Sequence, residues 1–127
     1  MPRTSVSITV FLLVLHQFAS AAWSQSQSQP QLTLQFLGDR GHHQPARRAT
    51  ELLPALSQKG INVQYSEDIE GVLNADNLAK LDGLILYANI DNITDAQAAA
   101  LLNFVRDGGG FIPLHCASYC FRNNEEI

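Results

Sequence analysis

"GLILYA", residues 83–88, is an almost wholly apolar run of six residues with no charge and no amide side chain. Its composition fits a strand covered on both faces, as in a parallel sheet. It leads directly into "NIDNIT", residues 89–94, where Thr94 stands three residues before Gln97, the spacing of a helix capping box. A strand followed by a capped helix is half of a crossover unit, and the rest of the chain repeats the alternation.

Downstream, Ala98, Leu101, Leu102 and Val105 recur at helical spacing up to about Arg106. Gly108, Gly109 and Gly110 stop that helix, and residues 111–114 (FIPL) read as a further strand, irregular at Pro113 because proline cannot donate to the ladder. Upstream, residues 32–37 (LTLQFL) alternate and end at Gly38, a first strand. Gln44 and Pro45 open a helix whose apolar face is Ala46, Ala49, Leu52, Leu53 and Leu56. Pro54 predicts a kink or break near Thr50, and Gly60 the stop. Ile61, Val63 and Tyr65 make a second strand, Glu67 to Glu70 an acidic loop, and Asn74 caps a short helical turn through Lys80. Strands and helices alternating through short connections imply an α/β fold with right-handed crossovers. The loop after the first strand, Gly38-Asp39-Arg40-Gly41-His42, lacks the G-x-G-x-x-G phosphate turn. A flavodoxin-like parallel sheet with helices on both faces is therefore favoured over a dinucleotide-binding fold.

Not all of the 127 residues belong to that fold. Residues 1–24 carry a positive start, an apolar core and the small residues Ala19-Ser20-Ala21, which read as a cleavable secretory leader directing the chain to the periplasm or the exterior. His16 and Gln17 interrupt the core, so no stable membrane anchor is expected. Residues 25–31, within the run SQSQSQPQ, form a polar linker with nothing to bury. About 95 residues remain, enough for a modest core. Lys and Arg number 8 against 12 Asp and Glu, a net charge of −4, and no basic run is present. Nucleic acid is thus disfavoured as a partner. Asn92-Ile93-Thr94 matches a glycosylation sequon, but Thr94 already has a structural task as cap.

Ligands of open parallel sheets bind outside the carboxyl ends of the strands. That rule gathers Asp39, Arg40, His42 and His43 after the first strand, Asn89 and Asp91 after the third, and His115, Cys116 and Ser118 after the fourth. All three histidines beyond the leader fall in this set, the most specific signal in the pattern. Each residue also has a plainer role open to it. His42 and His43 can stack on the sheet edge or cap a helix, Asp39 and Arg40 can pair with each other, Asn89 and Asp91 can brace their own turns, Ser118 can cap, and Tyr119 and Phe121 can pack in the core. His115 and Cys116 sit where a strand should turn sharply, as in a nucleophile elbow. A thiol there can be activated by an imidazole, although adjacent residues on a turn point apart and the elbow's usual glycine is replaced by Ala117 and Ser118. Alternatively, His42 or His43 with His115 and Cys116 can supply three ligands and leave a position for water, as in a metal-dependent hydrolase. Cys116 and Cys120 are badly spaced for a disulfide if the segment is helical, and free thiols are expected.

The blocks "FLGDRGHHQPARRATELLPAL", "LDGLILYANIDNIT" and "FVRDGGGFIPLHCASYCF" resemble, in the same order, the ThuA-like (trehalose-utilisation) domain of the class I glutamine-amidotransferase-like superfamily. The resemblance implies a flavodoxin-like sheet, a sugar or sugar-derived ligand, and an exported bacterial protein. It places His42 or His43 and His115 in the family's polar pocket, with His115 at the elbow position of the amidotransferase cysteine and Cys116 one residue away. Glutaminase chemistry is not implied, because the partner residues lie later in such domains. By this resemblance residues 32–127 are the N-terminal part of a domain about twice as long, and the resemblance does not decide whether a metal or other cofactor is used. A sheet ending there should expose an edge and face and self-associate. A carbohydrate-processing enzyme, a sugar-binding or scaffold module without chemistry, and a non-functional fragment all remain compatible with the sequence.

Overall fold

The computed structural model describes residues 31–127; the leader and all but the last residue of the linker lie outside the described residues. Strand β1 (Leu32–Gly38) is followed by α1 (Pro45–Ser57), β2 (Ile61–Ser66), the short helices α2 (Ile69–Val72) and α3 (Ala75–Leu78), β3 (Gly83–Tyr87), α4 (Asp95–Arg106) and β4 (Gly110–Pro113). A 3₁₀ turn, His115–Tyr119, comes last. The four strands pair in parallel in the order β2-β1-β3-β4. This is a flavodoxin-like α/β sheet, with β1 and β3 flanking the point where the connections change sides.

Two cores form because alternate residues of a strand face opposite sides of the sheet. Phe36 and Ile85 pack with Ala49, Leu52 and Leu53 of α1 on one face. Leu37, Leu84, Leu86 and Ala88 pack on the other face with Val72, Leu78, Leu101, Phe104 and Phe121. Residues 83–86 of β3 are buried throughout, as their apolar run requires.

Several local expectations change in three dimensions. Helix α1 runs unbroken through Pro54. The proline removes only the bond to the exposed Thr50 carbonyl, and the next turn resumes with Gln58 N–H donating to Pro54 O at 3.2 Å. The acidic stretch after β2 is partly helical, because Asp68 caps α2 by accepting from Gly71 N–H at 3.0 Å. On α4, Ala98 and Leu101 are buried as expected, but Phe104 is buried in place of Val105, which is 43% exposed. Gly109 explains this: a Cβ there would lie 2.3 Å from the Phe104 ring, so the missing side chain makes room for it. Ala46 of α1 is exposed rather than on the buried face. Tyr119 is likewise exposed, with the Arg122 guanidinium 5.4 Å from its ring centroid. The expected caps hold: Thr94 and Gln97 form a reciprocal capping box and Asn74 accepts from Asn77 N–H.

Candidate functional site

The carboxyl ends of β1, β3 and β4 deliver the predicted polar residues to one rim. After β1 the chain makes a tight turn in which Asp39 Oδ1 accepts from Gly41 N–H at 2.8 Å, while Oδ2 accepts from Asn89 N–H at 2.5 Å. One carboxylate thus ties the loop after β1 to the loop after β3. Asp39 pairs with backbone here and not with Arg40, whose Nε donates to Glu67 at 2.7 Å.

His42 and His43 follow, and Gln44 turns left-handed (φ 54°) to start α1. Beyond β4, Leu114 N–H donates to Leu86 O at 2.8 Å, extending the ladder by one residue. His115 then adopts φ 51°. A left-handed non-glycine residue costs about 1–2 kcal/mol, and such strain concentrates at functional sites. The sharp turn expected at the end of β4 is present, and His115 occupies its strained position rather than Cys116.

The result is a line of imidazoles. The ring centroids of His42 and His43 lie 3.9 Å apart, and those of His43 and His115 lie 4.5 Å apart. Tyr87, from the end of β3, stands 6.0 Å from His115 and 6.3 Å from His43. Partial burial lowers the His43 pKa, and the neighbouring His42 and His115 lower it further, against an opposing pull from Asp39. His43 is thereby biased toward the neutral imidazole, which can both accept and donate a proton or hydrogen bond.

The remaining expected residues are placed elsewhere or otherwise occupied. Ser118 turns back on its own loop, its hydroxyl donating to His115 O at 3.2 Å. Asp91 pairs with Arg122 on the surface. Asn89 contributes its backbone N–H to the Asp39 tie. Both cysteines are free. Burial, with Asp39 adding to it, raises the Cys116 pKa, which works against a reactive thiolate. Cys120 has a structural role: its thiol donates to Ala88 O at 3.1 Å and its sulfur accepts from Ile90 N–H at 3.3 Å. Among the described residues, no three His, Cys, Asp or Glu side chains are arranged to hold a metal ion.

Residues near the rim that pattern reading passed over are Tyr65, Glu67, Tyr87 and Asn123. Tyr65 and Tyr87 looked like strand residues, and Glu67 like part of a solvated acidic run. Asn123 clamps the loop before α4, its Oδ1 accepting from Ile93 N–H at 2.9 Å and its Nδ2 donating to Ile93 O at 2.8 Å. No local sequence signal announces that long-range role.

Fold and rim together define a parallel α/β domain with a histidine-lined site where the sheet connections change sides. The sequence model of the ThuA family, described as trehalose utilisation, matches residues 33–126, and the chain belongs to that family. The crystal structure of a ThuA-like protein from Bacteroides uniformis superposes with a TM-score of 0.59 at 16% identity, covering 70% of this chain and 38% of that one. At that identity the likeness concerns the fold, and this chain spans well under half of that protein's length. No curated protein matches the sequence.

Proposed function

We propose that this chain carries the sugar-binding rim of an exported ThuA-type domain, and that His43 and His115 serve there as acid–base groups on a sugar or sugar-derived ligand. The contact between His43 and His115, brought from two loops distant in sequence, carries this reading. A neutral His43 beside the strained His115 suits proton transfer at a hydroxyl or a carbonyl, since an imidazole works best near the operating pH. Asp39 orients the loop by accepting from two backbone N–H groups, those of Gly41 and Asn89. The family's description, trehalose utilisation, supports a carbohydrate as the ligand. Export is supported by the leader-like pattern of residues 1–24.

Histidine ring signals followed by NMR during titration of the full chain with trehalose and with glucose test the binding. Movement of the His43 and His115 resonances is expected; signals that stay fixed at millimolar sugar would sink the proposal. Replacing His115 with Gln separates chemistry from binding, because turnover should be lost with sugar affinity largely retained. The mass of the mature N-terminus after secretion checks the leader.

A further inference from the structure

Beside the histidine rim, above the ends of β1 and β2, lies an open groove of about 640 Å³ lined by Asp39, Arg40, Tyr65, Ser66, Glu67 and Asp68. Its floor is set by a glycine. A Cβ on Gly38 would meet Tyr65 at 2.6 Å, so only the absence of a side chain lets the phenol lie across the end of β1. The ring packs at 5.7 Å from Phe36, and its hydroxyl donates to Glu67 Oε1 at 2.9 Å. Arg40 Nε donates to the other oxygen of Glu67. Glu67 is thus held from two sides, its side chain 27% exposed against 89% for Arg40.

This arrangement leaves defined hydrogen-bonding capacity. Arg40 uses one of its five N–H groups, and each oxygen of Glu67 and Asp39 accepts one bond while offering a further lone pair. Asp68 is committed to the cap of α2, and Ser66 accepts from Asp68 N–H. Three carboxylates against one guanidinium disfavour an anion, while the uncommitted N–H groups of Arg40 disfavour a simple cation. A neutral molecule with adjacent hydroxyls satisfies both, donating to the carboxylates and accepting from the guanidinium, with the tyrosine as an apolar surface. The volume lies within the usual range of ligand sites, about 300–1,000 Å³.

We propose that this groove is a second sugar subsite, built by Tyr65, Glu67 and Arg40, which receives the further ring of a disaccharide whose first ring lies at the histidines. Asp39 joins the two halves, lining the groove and acting electrostatically on His43. The inference rests on the carbohydrate reading of the rim, and it adds a preference for two-ring over one-ring ligands.

Calorimetric titration of the full chain with trehalose and with glucose, for the wild type, Glu67→Gln and Arg40→Ala, decides the matter, with circular dichroism confirming that each variant is folded. Each variant should lose about tenfold in trehalose affinity, the size expected for a charge-assisted hydrogen bond, while glucose affinity stays within about twofold. Trehalose and glucose falling together, or neither falling, would overturn the subsite and leave the rim's carbohydrate reading intact. A folded wild type that binds neither sugar would overturn both.

Discussion

Replacing Gly38 with alanine tests how the end of β1 organises the site. The new methyl carbon would lie 2.6 Å from Tyr65 Cε2 and its hydroxyl, and 2.8 Å from Pro45 Cβ. It would be squeezed from both sides. Tyr65 can swing only by giving up its hydrogen bond to Glu67 and its packing on Phe36. Pro45 is buried and starts α1, so its ring yields only if the helix moves. Overpacking of this kind costs about 1–3 kcal/mol. The lower entropy of the unfolded alanine chain returns roughly 0.4–1 kcal/mol. A net loss of about 1–2 kcal/mol corresponds to a thermal midpoint lowered by roughly 5–15 °C in a domain of this size. Thermal unfolding followed by far-ultraviolet circular dichroism measures the shift, and near-ultraviolet dichroism reports the displaced tyrosine. Gly83→Ala is the comparison, because its Cβ would meet the movable tip of Leu34 at 2.8 Å, with Gly110 O no closer than 3.4 Å. It should be the milder change. A Gly38→Ala midpoint equal to wild type, or one less affected than Gly83→Ala, would refute the reasoning.

Thr94→Ala removes the capping box of α4 and should cost about 1 kcal/mol in denaturant unfolding. Asn123→Ala strands the N–H and C=O of Ile93 and should cost about 1–3 kcal/mol, with faster amide exchange at Ile93 as its local sign. His43 should titrate below the ordinary imidazole range in an NMR pH series, and His115→Ala should move it back upward. Since the folded state binds this proton less readily than the unfolded one, its contribution is complete above that range and declines as pH falls through the folded pKa. Both thiols should react slowly with an alkylating reagent at neutral pH and rapidly after denaturation, because burial raises each pKa; rapid native labelling of Cys116 would revive it as a nucleophile.

The alternation of strand and helix was legible because each element carries its own period. Residues 83–88 declare a doubly covered strand, Thr94 and Gln97 declare a helix start, and the glycines at 108–110 declare its end. The rim was legible for a topological reason, since every loop after a parallel strand opens on the same side of the sheet. Phe104 and Val105 were not separable in this way. Both suit a helix face, and the choice between them depends on Gly109, which lies in the turn after the helix and opens space for one ring only.

Sequence alone therefore determined the parallel α/β class, the membership suggested by the three ordered blocks, and the set of residues at the carboxyl end of the sheet. Those features follow from local propensity and chain order. Tertiary structure decided which of those residues touch: His43 meets His115, Arg40 leaves Asp39 for Glu67, and Ser118 folds back on its own turn. It also brought Tyr65 and Glu67 into the groove beside Asp39, and gave the strained backbone to His115 rather than Cys116. Side-chain partnership depends on strand register, helix seating and the space left by single glycines, and no local pattern along the chain encodes those distances.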